Sequence, residues 1–164
     1  MRERYCSLCG AELESRLHPQ DGRVPYCPGC KDYRYPHFST AVSMLVTDEA
    51  ETRILLIRQY GEAGELLPAG YVDKGETAEH AARRELMEEL GLAAESLRFL
   101  ASHYYAPSET LMLNFHVTVA DAVPKPNAEV DAWHWHPKDE ALSAAAPGGL
   151  AELLLLDYLG ESKS

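Results

Sequence analysis

Three glutamates near the middle of the chain are spaced for chemistry. Glu85, Glu88 and Glu89 stand at i, i+3 and i+4, so a helix through them puts all three carboxylates on one face. An acidic helix face is most often simply a solvated one. Here Arg84 adjoins the cluster, Glu76 lies upstream, and Gly70 and Gly75 bracket the turn that would enter the helix. Hard oxygen ligands of this kind suit Mg²⁺ or Mn²⁺ acting together with phosphate oxygens. A second set of reactive side chains lies near the N-terminus, in Cys6-x2-Cys9 and Cys27-x2-Cys30. Each short-spaced pair forms a tight turn that aims two thiolates at one ion, the pattern of tetrahedral Zn²⁺. Two disulfides are the alternative. Met1 to Cys9 shows no apolar leader segment, so a reducing, cytoplasmic compartment is expected and zinc is the preferred reading. Four thiolates fill the coordination sphere, which makes that ion structural.

The elements that must position these residues can be read from periodicity. A helix is expected from about Thr77 to Leu90, with Thr77 as N-cap, Gly91 as the stop, and Ala78, Ala81, Ala82, Leu86 and Leu90 at helical spacing. Before it, Thr40 to Thr47 and Arg53 to Arg58 are β-rich runs separated by an acidic turn, Asp48 to Glu51. Leu66 to Val72 is a strand or loop broken by Pro68 and Gly70. After the helix, strands are expected over Leu97 to Tyr105, Leu111 to Val119 and Glu129 to His136, with a loop at Pro124 to Asn127. A last helix follows Pro147-Gly148-Gly149, burying Leu150, Leu153, Leu154 and Leu159. All seven histidines read as structural or solvent-exposed, with His134 and His136 sharing one strand face.

Gly70-(YVDKG)-Glu76-(TAEHAAR)-Arg84-Glu85-Leu86-Met87-Glu88-Glu89-Leu90-Gly91-Leu92 resembles the Nudix box, G-x5-E-x7-R-E-U-x-E-E-x-G-U, at every specified position. The resemblance implies an α/β/α sandwich with a mixed central sheet over residues 37–164, preceded by a zinc ribbon over residues 1–36. It also implies a metal-dependent pyrophosphohydrolase. Glu85 and Glu89 would be direct metal ligands, Glu88 would contact a second ion directly or through water, and the carbonyl of Ala69 or Gly70 would add an oxygen. Arg84, paired with Glu76, would orient the carboxylates, and Glu129 is the best candidate for a further acidic ligand after the box. The divalent ions would supply charge neutralisation at the phosphates, a more acidic water and a stabilised leaving group. Glu85 is then expected to accept the proton.

The four-cysteine ribbon ahead of this domain resembles the NADH pyrophosphatase branch, whose full-length members pair as homodimers. In that branch S-Q-P-W-P-F-P-x-S follows the box. The aligned stretch here, Ser102 to Thr110, keeps Ser102, the aromatic Tyr105 and a hydroxyl at Thr110, followed by Leu111-Met112. It departs at Tyr104, Ala106, Pro107 and Ser108, where the motif has prolines and a phenylalanine. An NAD(H)-type dinucleotide is therefore the first expected substrate, with ADP-ribose or a nucleotide sugar as the alternative. Tyr71, just after the first box glycine, and Tyr105 are the residues expected to stack on a substrate base, although aromatics are also ordinary strand residues.

Composition excludes several other classes. With 46% apolar and 25% charged residues the chain reads as globular, and no apolar run reaches the 18 or so residues that a membrane-spanning helix needs. A net charge of −11 argues against holding nucleic acid by phosphate neutralisation, whereas divalent ions can reverse the local field for a small phosphorylated substrate. The rival reading is a non-catalytic nucleotide sensor or a nucleic-acid-binding module. A sensor would be expected to lose box carboxylates, and a nucleic-acid-binding ribbon should be basic; neither holds here.

Overall fold

The computed structural model describes residues 4–61, 64–120 and 123–160. Two compact units divide the chain, with the boundary between Phe38 and Ser39. In the first, β1 (Glu14–His18), β2 (Gly22–Cys27) and β3 (Asp32–Tyr33) form an antiparallel sheet in that order. Its buried apolar side chains among the described residues are Cys6, Val24 and Cys27. One valine and two cysteines cannot offset the entropy of ordering such a segment. A bound metal would close that gap.

The second unit is built on a mixed sheet in the order β7-β8-β4-β5-β9, formed by β4 (Ser39–Asp48), β5 (Arg53–Gln59), β7 (Ser96–Tyr105), β8 (Thr110–Val119) and β9 (Val130–Pro137). The short β6 (Ala69–Tyr71) joins β4 antiparallel. Among the strands of the described residues only β4 and β8 run parallel to each other, in register from Ser39 opposite Thr110 to Asp48 opposite Val119. Strands β4 and β5 are apolar on both faces, as fully covered central strands must be. Met44, Val46, Leu55 and Ile57 pack toward the face covered by α1 (Ala78–Leu90). Their neighbours Leu45, Ile54 and Leu56 pack toward α2 (Ala141–Ala144) and α3 (Leu150–Leu159). This is an α/β/α sandwich.

Helix α1 forms where cap, periodicity and stop agree. The Thr77 hydroxyl accepts from His80 N–H at 3.2 Å, and Ala81, Ala82, Leu86 and Leu90 are fully buried. Gly91, at φ 63°, donates its N–H to Met87 O at 2.9 Å while Leu92 N–H reaches Leu86 O, a left-handed closure that suits glycine. Helix α3 corrects one expectation. Leu154 is buried, but Leu153 is exposed, and Ala151 and Leu155 complete the inner face. The segment is apolar almost all round, so its periodicity does not single out a face.

Candidate active site and metal centres

The loop–helix junction brings the box residues together. The Arg84 guanidinium grips both oxygens of Glu76, Nε to Oε1 at 2.9 Å and Nη2 to Oε2 at 2.9 Å. Its Nη1 donates to Glu85 Oε1 at 2.8 Å and to Glu88 Oε2 at 3.1 Å, and Nη2 also donates to the Tyr71 carbonyl at 3.0 Å. One planar cation therefore fixes three carboxylates and the strand entering the helix. The same guanidinium holds the Glu76 carboxyl down to about 2, against the opposing effect of burial.

Gly70 lies against the Glu85 side chain. A Cβ placed there would sit 2.0 Å from the Glu85 carboxyl carbon, so the position excludes any side chain unless Glu85 moves. Ala69 and Gly70 pair with Ser43 and Val42 on β4, which sets their carbonyls on a rigid element.

Glu89 lies deepest, only 4% exposed, and its Oε1 accepts from Gln59 Nε2 at 3.1 Å. Its Oε2 is buried with no hydrogen-bond partner among the described residues. Burial, then the charges of Glu85, Glu129 and Glu88, push its carboxyl up to about 7 despite the Gln59 bond. An unpartnered buried carboxylate oxygen ringed by other carboxylates is the environment a divalent cation neutralises. Glu88 and Glu89 also stand at the C-terminal, negative end of the α1 dipole, and the last turn carries no basic residue. The donor set thus fits Mg²⁺ or Mn²⁺ at Glu85, Glu89 and the Ala69 or Gly70 carbonyl.

A cleft of about 590 Å³ collects most of these residues. Ala69, Arg84, Glu85, Glu89, Glu129, Tyr71 and Tyr105 all line it. Glu88 is on the same helix but does not line the cleft; it faces solvent and meets Arg84. Tyr71 is 60% exposed and Tyr105 40%, so both aromatic side chains are accessible from the cleft. Sequence reasoning missed three lining residues. Gln59 anchors Glu89, Ser43 places a buried and unpartnered hydroxyl at the wall, and Tyr60 lies beside Glu129, whose charge raises the phenol. The signal for two of them was legible in part, since Ser43 interrupts the apolar run from Ala41 to Val46 in β4 and Gln59 is a buried polar residue at the end of β5.

In the first unit the four thiols converge. Cys6 and Cys30 Sγ are 3.9 Å apart, Cys9 and Cys27 Sγ 3.4 Å, and none forms a disulfide. Tetrahedral zinc with bonds of about 2.3 Å needs sulfur–sulfur edges of about 3.8 Å. Each pair closes in the same way: Gly10 N–H donates to Cys6 O and Lys31 N–H to Cys27 O, both at 2.8 Å, with Gly10 and Lys31 in the left-handed region. Arg34 Nε donates to Cys6 Sγ at 3.3 Å and lowers that thiol to about 6, whereas the bonds that the Cys30 thiol donates to Cys9 and Cys27 raise it to about 12. The cluster is spaced to hold one metal ion.

The box, the sandwich and the carboxylate cluster define a Nudix-type fold and site. The chain belongs to the Nudix family: the NUDIX domain matches residues 37–156. Among curated proteins it is 30% identical over 160 residues to an NAD-capped RNA hydrolase NudC of Stutzerimonas stutzeri, covering 96% of this chain and 56% of that one. It is 33% identical over 146 residues to the mitochondrial NAD(P)H pyrophosphatase NUDT13 of Mus musculus, covering 85% and 40% respectively. The chain thus spans only about half the length of the relatives it matches. A crystal structure of a NUDIX hydrolase from Nitrosomonas europaea shares the fold with a TM-score of 0.71 at 23% identity, over 97% of this chain and 92% of that one. Among the described residues no helix is long and apolar enough to cross a membrane.

Proposed function

We propose that the chain hydrolyses the pyrophosphate bond of a nucleoside diphosphate joined to a second moiety, with an NAD(H)-type dinucleotide as first substrate. The observation that carries this reading is the buried, unpartnered Glu89 carboxylate oxygen in one cleft with Glu85, Arg84 and two exposed tyrosines. The names of the relatives, NAD-capped RNA hydrolase and NAD(P)H pyrophosphatase, support the dinucleotide. ADP-ribose or a nucleotide sugar remains the alternative, because Tyr104, Ala106, Pro107 and Ser108 differ from the branch motif.

Each residue then has a task. Tyr71 and Tyr105 hold the base by stacking. Glu85, Glu89, Glu129 and the Ala69 carbonyl would hold Mg²⁺ or Mn²⁺, with Glu88 reaching a second ion directly or through water, and the ions would supply charge neutralisation and a more acidic water. Arg84 keeps the Glu85 carboxylate aimed by its bond to Oε1, leaving Oε2 to receive the proton from the attacking water. The thiols of Cys6, Cys9, Cys27 and Cys30 hold a structural Zn²⁺ in a ribbon of residues 1–36, and residues 37–164 form the hydrolase domain. A homodimer, expected from the branch resemblance, and a cytoplasmic location, where cysteines stay reduced and able to bind metal, complete the proposal.

The test is a Mg²⁺- or Mn²⁺-dependent screen of NADH, NAD⁺, ADP-ribose, FAD, nucleotide sugars, nucleoside triphosphates and NAD-capped RNA, with products identified by mass. NADH cleaved best, to nicotinamide mononucleotide and AMP, supports the first reading. A preference for ADP-ribose moves the substrate to the alternative. No hydrolysis of any compound overturns the proposal in favour of a nucleotide sensor.

A further inference from the structure

A second cluster of metal-binding side chains lies outside the carboxylate site and the ribbon. His134 and His136 stand two residues apart on β9, so both rings leave the same face of the strand. Trp133 and Trp135 leave the other face and pack on the α1 core. Glu65 comes from the segment between β5 and β6 and meets both rings: His134 Nδ1 lies 2.6 Å from Oε1, and His136 Nε2 2.6 Å from Oε2. One candidate ligand atom from each residue lies within 4.8 Å of the other two.

The supports of this trio are rigid. His134 and His136 lie opposite Leu56 and Ile54 of β5, both fully buried. Glu65 is held from two sides, its carbonyl accepting from Ala146 N–H at 2.9 Å and its neighbour Leu66 exchanging both backbone bonds with Ile57. Side chains fixed in this way are preorganised, and their ordering entropy is already spent in folding. Half of the His134 side chain is open to solvent, which gives an ion a route in and leaves room for water as a further ligand.

We infer that Glu65, His134 and His136 form a third metal site, taking a borderline transition ion such as Zn²⁺ or Co²⁺. Two imidazole nitrogens and one carboxylate favour such ions over Mg²⁺, which prefers oxygen alone. A cation between the three groups replaces two N–H···O contacts with two nitrogen–metal bonds, and each imidazole proton moves to its other ring nitrogen. The site would brace the wall of the cleft, because Leu66 and Leu67 follow Glu65 directly and both line it.

The test is metal stoichiometry in saturating Mg²⁺, which occupies the carboxylate cluster. Full-length protein retaining its ribbon zinc is dialysed against Co²⁺, and cobalt and zinc per chain are counted in wild type, a His134→Asn/His136→Asn double variant and Glu65→Gln. The expected result is one more Co²⁺ per wild-type chain than per double-variant chain, with zinc content unchanged and affinity in Glu65→Gln weakened by about tenfold or more. Should the double variant fail to fold, histidine side-chain NMR of the wild type decides. Zn²⁺ must then shift Nδ1 of His134 and Nε2 of His136. Equal cobalt counts in folded variants, or unmoved nitrogens, overturn the site and leave the trio as a hydrogen-bonded clasp.

Discussion

Glu89 concentrates the conflict between stability and function. A carboxylate buried with one oxygen unpartnered is costly to ionise, and three neighbouring glutamates add to the cost. Its proton is bound more tightly in the folded chain than in the unfolded one. The resulting stabilisation is complete below the ordinary carboxylate range and is lost as pH rises through about 7. In chelator, the wild-type melting temperature should therefore fall between pH 5 and pH 8 relative to that of Glu89→Gln, and Mg²⁺ should restore it at pH 8. Parallel pH profiles for the two proteins would refute this. The same variant should lose several orders of magnitude in turnover with its fold intact, since the glutamine cannot supply an anionic ligand. An active Glu89→Gln protein would remove Glu89 from the metal site.

At the level of elements, the junction of β6 and α1 is arranged around a missing side chain. Gly70→Ala places a methyl group 2.0 Å from the Glu85 carboxyl carbon, and the flexible end of Glu85 is what must move. Moving it costs little stability but breaks its bond to Arg84. We expect kcat to fall by about 10²-fold, as a misplacement of about 1 Å can cause, with less than about 1 kcal/mol lost in stability. Steady-state kinetics beside a urea melt would check this, and a variant that unfolds before it loses activity would contradict it. Helix α1 itself was legible in the sequence because cap, periodicity and stop all agree at Thr77, Ala81 to Leu90 and Gly91. Helix α3 was only half legible, since leucines surround its axis. The bond from Gln59 to Glu89 and the meeting of Glu65 with His134 and His136 join residues 30 and about 70 positions apart. No local pattern records such pairings; the first exists only once α1 packs on β5, and the second only once β9 pairs with β5.

For the whole molecule, the two units draw their stability from different sources. The second has a layered core on both faces of its sheet, whereas the first has little apolar burial and four convergent thiols. Stripping the metal under reducing conditions should unfold residues 1–36 selectively. Circular dichroism and proteolysis should show cleavage confined to that segment, with the second unit protected; a ribbon that stays protease-resistant without metal would count against structural zinc. The Nudix-type core and its carboxylates were readable in the sequence from Gly70 to Leu92. Beyond Tyr71, Tyr105 and Glu129 the cleft walls were not, because they are assembled from β4, β5, β8 and the start of α3.

Helix α1 gives alternate residues to two masters. Leu86 and Leu90 are sealed in the core, while Glu85 and Glu89, each one position before, face the cleft. The carboxylates therefore have no hinge of their own. Their backbone positions cannot drift apart on heating while the sandwich stays folded, and the carboxylates cannot stay together once it melts. Heat should then leave no intermediate population that is folded but blunted, because loss of the fold and loss of the ligand geometry are one cooperative event.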